Sequence, residues 1–165
     1  MALTTFPAPA DAACTLDVLV PCMELAVPSS YAWGTLDPGT STSAQQAVTV
    51  GSNRSWGLRI SSDRADGRLT EWTGSAYAAS PQKLTSPMQW ALTADRGTPV
   101  TPSWASMSGT PATVVTGRDM TGCLVVACLT TTLGVTYRQS VSYADQRLNP
   151  NSYRMAVTYT ASHGW

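Results

Sequence analysis

Two stretches in the last third of the chain alternate apolar and polar residues with a period of two, and no other pattern in the sequence is as restrictive. In the first, Val135, Tyr137, Val141 and Tyr143 share one parity, and Thr136, Arg138, Ser140 and Ser142 share the other. In the second, Met155, Val157, Tyr159 and Ala161 alternate with Arg154, Ala156, Thr158 and Thr160. Period two puts each set on its own face of a β-strand. Between the runs stand Asp145, Asn149, Pro150 and Asn151, all turn formers. The spacing therefore predicts a long β-hairpin with one apolar and one polar face. A lone hairpin is marginal in water, so a second sheet must cover Val141, Tyr143, Val157 and Tyr159.

The rest of the chain supplies strands for that second sheet. Leu16, Val18 and Val20 alternate with Asp17 and Leu19. Residues 47–50, 68–72, 112–116 and the strongly apolar run 124–129 also read as extended. Trp56, Leu58 and Ile60 share a parity, as do Met88, Trp90 and Leu92. Both sets are expected in the core, and Trp33, beside Gly34, at one end of it. Turn signals separate these segments, notably Pro38-Gly39 and Asp66-Gly67. No segment sustains a 3.6-residue apolar stripe. Strands recurring every 8–12 residues or so between Gly and Pro predict an all-β fold, a single Ig-like β-sandwich of two antiparallel sheets with roughly eight to ten strands. The chain of 165 residues suits one domain: an extended, aperiodic Ala/Pro/Thr arm over residues 1–13, then the sandwich over residues 14–165.

Charge narrows the partners. Charged residues make up 12% of the chain, about half the usual share of roughly 25%, and the formal net charge is zero. Lys83 is the sole lysine among ten basic residues, and no basic run exists. Neither nucleic acid nor an anionic membrane surface has an electrostatic reason to bind. No apolar run approaches the ~18 residues of a membrane-spanning helix, so no membrane insertion is expected. A surface made polar by Thr, Ser, Asn and Gln fits an extracellular β-protein. Residues 1–13 lack a basic segment followed by a continuous apolar one; an extracellular or cell-surface chain whose signal peptide has been removed is the expectation.

The four cysteines, Cys14, Cys22, Cys123 and Cys128, are even in number and lack close zinc-type spacing. The extended run between Cys123 and Cys128 would hold them about 16 Å apart, beyond the ~7 Å reach of a disulfide. Bridges between segments, Cys14–Cys128 and Cys22–Cys123, follow. A turn in either segment would give two local loops instead, and four buried thiols is the remaining alternative.

Reaction chemistry has little to work with. His163 is the only histidine, close to the end of the chain, and a Ser-His-Asp site would have to use it; a solvated tail residue is the simpler reading. Glu24 and Glu71 are the only glutamates, and most aspartates sit in turns, where Asp caps its own backbone. Asp63 and Asp66 share a loop but lack EF-hand spacing. Asn53-Arg54-Ser55 matches a glycosylation pattern, though Asn53 reads first as a turn residue. Neither metal, cofactor nor enzymatic activity is expected. Trp72, Tyr77, Trp104 and Trp165 lie in polar or Pro-rich surroundings and are candidates for glycan stacking or subunit contact.

The stretch Val27-Pro-Ser-Ser-Tyr-Ala-Trp-Gly34-Thr-Leu-Asp-Pro-Gly39, followed by Val48-Thr-Val50-Gly-Ser-Asn53, resembles the opening of secreted bacterial and archaeal Ig-like domains. Residues 135–141 and 153–162 are similar to the closing strands of that group, which includes WxL-like and choice-of-anchor domains. The resemblance covers about half the chain. It implies an Ig-like sandwich on a cell surface or in a fibre, and it carries over no catalytic residue and no cysteine pairing. The expectation is thus a non-catalytic extracellular structural protein, a surface component or filament subunit. Such a subunit polymerises with copies of itself by lending its N-terminal arm to a neighbour's sheet edge. The alternative is a carbohydrate-binding module that holds polysaccharide on Trp72, Tyr77 and Trp104.

Overall fold

The computed structural model describes residues 2–5, 21–95, 98–99, 103–117 and 130–164, with backbone alone for residues 2–5 and 98–99. Among these residues there are thirteen strands and no helix: β1 (Ala2–Thr5), β2 (Met23–Ala26), β3 (Ser30–Ala32), β4 (Gly39–Thr42), β5 (Gln46–Ser52), β6 (Trp56–Ser62), β7 (Thr70–Trp72), β8 (Gln89–Ala94), β9 (Thr98–Pro99), β10 (Ala105–Ser106), β11 (Ala112–Thr116), β12 (Thr130–Val141) and β13 (Ser152–His163). They form two sheets packed as a sandwich. One runs β3-β1-β13-β6-β11-β9 with β7 also on β13; the other runs β10-β8-β12-β5-β2 with β4 also on β12. Every pairing is antiparallel except that of β1 with β13. The count exceeds the roughly eight to ten strands expected of a sandwich because several strands are two to four residues long, too short to carry a period. The segments 16–20 and 124–129, and Cys14, Cys123, Cys128 and Trp165, lie outside the described residues. With only Cys22 inside them, the expected bridges lie outside as well.

The two alternating runs are both strands, but they do not pair with each other. β12 pairs with β5, β4 and β8, whereas β13 pairs with β1, β6 and β7. The chain between them arches from one sheet to the other, so the expected hairpin is two facing strands on opposite sides of the core. Alternation specifies which side chains turn inward; it does not specify the neighbour. Leu133, Val135 and Tyr137 of β12 meet Met155, Val157 and Tyr159 of β13 within one core cluster, all at most 7% exposed. Each such side chain contributes about 1.5–3 kcal/mol by leaving water. Trp56, Leu58 and Ile60 on β6, Trp90 and Leu92 on β8, and Val48 and Val50 on β5 belong to the same cluster. Tyr143 departs from its parity: β12 ends at Val141, and Tyr143, in the turn beyond it, is 94% exposed.

The same cluster takes in Leu69, Leu84, Met88 and Met107, and the chain there is stitched by Leu84 N–H to Leu69 O (3.0 Å), Met88 N–H to Gly67 O (2.9 Å) and Met107 N–H to Met88 O (2.7 Å). Gly67 is required at this join. Its φ of +63° is left-handed, and a Cβ there would collide with the Met107 carbonyl.

Candidate functional site

β1 comes from the start of the chain yet occupies the interior of a sheet. Ala2 is level with Ala32 of β3 on one side and with Arg154 of β13 on the other, and Thr4 is level with Ser30 and Ala156. Among the described residues β3 joins its sheet only through β1. The strands that end the two paths are short: three residues in β3, two in β9, two in β10 and four in β2. Short edges give an incoming strand few ladder positions.

Just past the Ala2 pairings, Gly34 on one side and Ser152 and Tyr153 on the other line an open groove of about 850 Å³. Leu36, Pro38, Leu84, Val141, Tyr143 and Leu148 supply its apolar lining. Asp37 and Arg147 form an ion pair at 2.7 Å, but their side chains are 75% and 78% exposed, so it contributes little. Asp145 is the firmer clamp. Its Oδ1 accepts from the Thr85 N–H (2.7 Å) and hydroxyl (2.6 Å), and its Oδ2 accepts from the Ser142 N–H (2.7 Å). Partial burial pushes this carboxyl up, but the Thr85 hydroxyl and the Ser142 and Thr85 amides outweigh it and hold it below the usual range. Glu71 is held low by the Asn151 side-chain amide (2.6 Å) and the Gln82 N–H (3.0 Å). Tyr153 donates its hydroxyl proton to Gln146 O at 2.8 Å. These bonds fix a groove built from loops far apart in sequence.

Trp72 and Tyr77 do come together, edge to face at 5.1 Å. Arg154 lies 4.3 Å over the Trp72 ring and Arg64 lies 3.7 Å over the Tyr77 ring. Trp104 is elsewhere. It precedes β10 and stacks at 4.4 Å under Arg138, whose neighbours Tyr137 and Gln139 on β12 point into the core. Trp72 thus lies in one sheet, and Trp104 stands just before a strand of the other. The three rings do not form one row, and a guanidinium covers one face of each. Asp63 accepts the Tyr77 hydroxyl (2.6 Å) and the Ala156 N–H (2.9 Å), and Asp66 accepts Lys83 Nζ (2.8 Å) and the Arg68 N–H (3.2 Å). Both carboxylates are thereby engaged in holding their loop.

His163 is fixed rather than trailing in solvent. It is the last residue of β13, and its Nε2 lies 3.0 Å from Cys22 O and 3.1 Å from Ser52 Oγ. Ser52 is fully buried and gives its own proton to Arg54 O at 2.9 Å. Nε2–H is therefore the donor to the Cys22 carbonyl, and Ser52 is not placed as a nucleophile. Nearby, Asn53 is 7% exposed and accepts the Cys22 N–H at 3.0 Å, a turn role for that residue.

Fold and groove define an all-β, two-sheet antiparallel domain whose first strand is inserted between its third and its last. Comparison with family models, with curated proteins and with solved structures finds no match to this chain.

Proposed function

We propose that this chain is a non-catalytic extracellular structural protein, an Ig-like surface component or filament subunit that polymerises by passing its N-terminal arm to a neighbouring copy. The observation that carries the reading is the interior position of residues 2–5, a segment remote from the strands it separates. A segment that supplies a whole strand from one terminus is the kind of element copies exchange at low cost. The sparse charge, the hydroxyl-rich surface and the structural engagement of His163, Asp63, Asp66 and Asp145 support a scaffold over a reaction centre. Negative-stain electron microscopy of the full chain beside a variant lacking residues 2–13 tests it. Fibres are expected from the first and none from the second; fibres of equal length from both would contradict it.

A second reading, a carbohydrate-binding module, draws support from the groove. There the exposed Tyr143 ring stands near the polar side chains of Gln146, Asn149 and Asn151, a ring-plus-amide chemistry that suits pyranose faces and hydroxyls. Calorimetric titration of soluble polysaccharides into the wild type and Tyr143→Ala tests it; the absence of heat with every glycan argues against it.

A further inference from the structure

The filament reading leaves open where a neighbour's arm would go, and the sheet topology answers it differently from a free edge. We infer that copies are linked by strand exchange: residues 2–5 of one copy occupy the slot between β3 and β13 of the next, parallel to β13 with Ala2 level with Arg154, as they do within one chain. The inference rests on the filament reading and specifies its acceptor.

Three observations carry it. The first is demand. Among the described residues β3 joins its sheet only through β1, and β13 has β1 as its neighbour over Arg154 to Val157, so an unfilled slot would strand β3 and bare one side of a central strand. Backbone groups bared in this way must find partners or water, which favours a filled slot whatever chain fills it. The second is the shortness of the edges. Among the described residues the ends of the two sheet paths present strands of two to four residues, whereas the slot offers pairing on both sides of the incoming strand.

The third is reach. Thr5 is level with Val157, and Cys22 is tied by its carbonyl to His163, six residues further along β13. That separation along the strand is about 20 Å. Residues 6–21 join the two points, and an extended chain of that length reaches about 53 Å. The connection is more than twice as long as closure within one copy needs along β13, so the same strand can be delivered to an adjacent molecule. Donor segment and acceptor slot are different parts of the surface, so each exchange leaves a new donor and a new acceptor exposed, and growth is open-ended.

The test uses the full chain and a synthetic peptide of residues 2–13 added in excess during assembly, with fibre length measured by electron microscopy. The peptide is expected to fill acceptor slots and shorten the fibres severalfold. Peptides carrying Leu3→Pro or Thr4→Pro distinguish slot from edge. Successive residues send their N–H groups to opposite neighbours, so in an interior strand both prolines remove a needed bond, while on an edge one of the two is tolerated. Both proline peptides are expected to leave fibre length unchanged. Fibres indifferent to the wild-type peptide would overturn the strand-exchange inference while leaving the filament reading intact. So would shortening by one proline peptide and not the other, which marks edge addition. No fibres under any condition would overturn the reading and the inference together.

Discussion

Tyr137 and Tyr159 join the two sheets through a buried polar contact, and their removal tests the sandwich quantitatively. Tyr137 lies on β12 and Tyr159 on β13; their hydroxyls bond to each other, at 0% and 7% residue exposure. A Tyr→Phe change removes one oxygen and leaves the other hydroxyl buried without its partner. An unsatisfied buried hydroxyl costs about 1–3 kcal/mol, whereas removing both partners is close to neutral. Tyr137→Phe and Tyr159→Phe should therefore each lower stability by about 2 kcal/mol, and the double variant should lose much less than their sum. For a domain of this size each kcal/mol moves the melting midpoint by roughly 2–4 °C, so each single variant should melt about 4–8 °C lower. Urea unfolding followed by circular dichroism, with the four proteins arranged as a double-mutant cycle, gives the coupling directly. Strictly additive losses, or single variants within about 0.5 kcal/mol of wild type, would refute the inter-sheet hydroxyl pair.

Buried phenols set the alkaline limit. Burial, with the neighbouring Asp63 carboxylate next, pushes Tyr77 up to about 12, and burial first of all drives Tyr137 and Tyr159 higher. The folded state then keeps protons that the unfolded chain releases near pH ~10. Stability is expected to be level below that pH and to fall as pH rises toward 12 and beyond; a urea midpoint unchanged across this range would contradict it. Asp145 acts at the acid end. Asp145→Ala should cost about 1 kcal/mol at neutral pH, and because the folded carboxyl is held low, the difference from wild type should vanish as pH falls through and below ~4; a gap that persists in acid would place the effect elsewhere. The cysteine expectation is checked by thiol titration in denaturant without reductant. Four bridged cysteines give no free thiol, and four reactive thiols would exclude both bridges.

How far the sequence led depended on the range of the signal. Met155, Val157 and Tyr159, like Trp56, Leu58 and Ile60, announce their inward face through local alternation, and all six are in the core. The same alternation places Gln139 inward with Tyr137, and it is indeed fully buried, its amide donating to Ser86 O at 3.0 Å; the sequence reading passed over it because it is polar. The partner of a strand is not encoded in its period, so two facing strands carry the same signal as a hairpin. The parity that points Tyr143 inward stops with the strand at Val141. β1 is four residues, and its partners are Ser30 to Ala32 and Arg154 to Val157; a parallel pairing across most of the chain leaves no local trace. The groove is equally hidden, because its walls come from the neighbourhoods of Leu36 and Leu148.

Whether residues 2–5 pass between molecules decides the account. A photo-reactive residue in place of Thr4, level with Ala156 on β13, would cross-link the two strands in fibres grown from an equal mixture of light and heavy-isotope chains. Strand exchange gives cross-linked peptides of mixed isotopic mass joining β1 to β13. Cross-links that pair only light with light and heavy with heavy would place β1 in its own chain and contradict it.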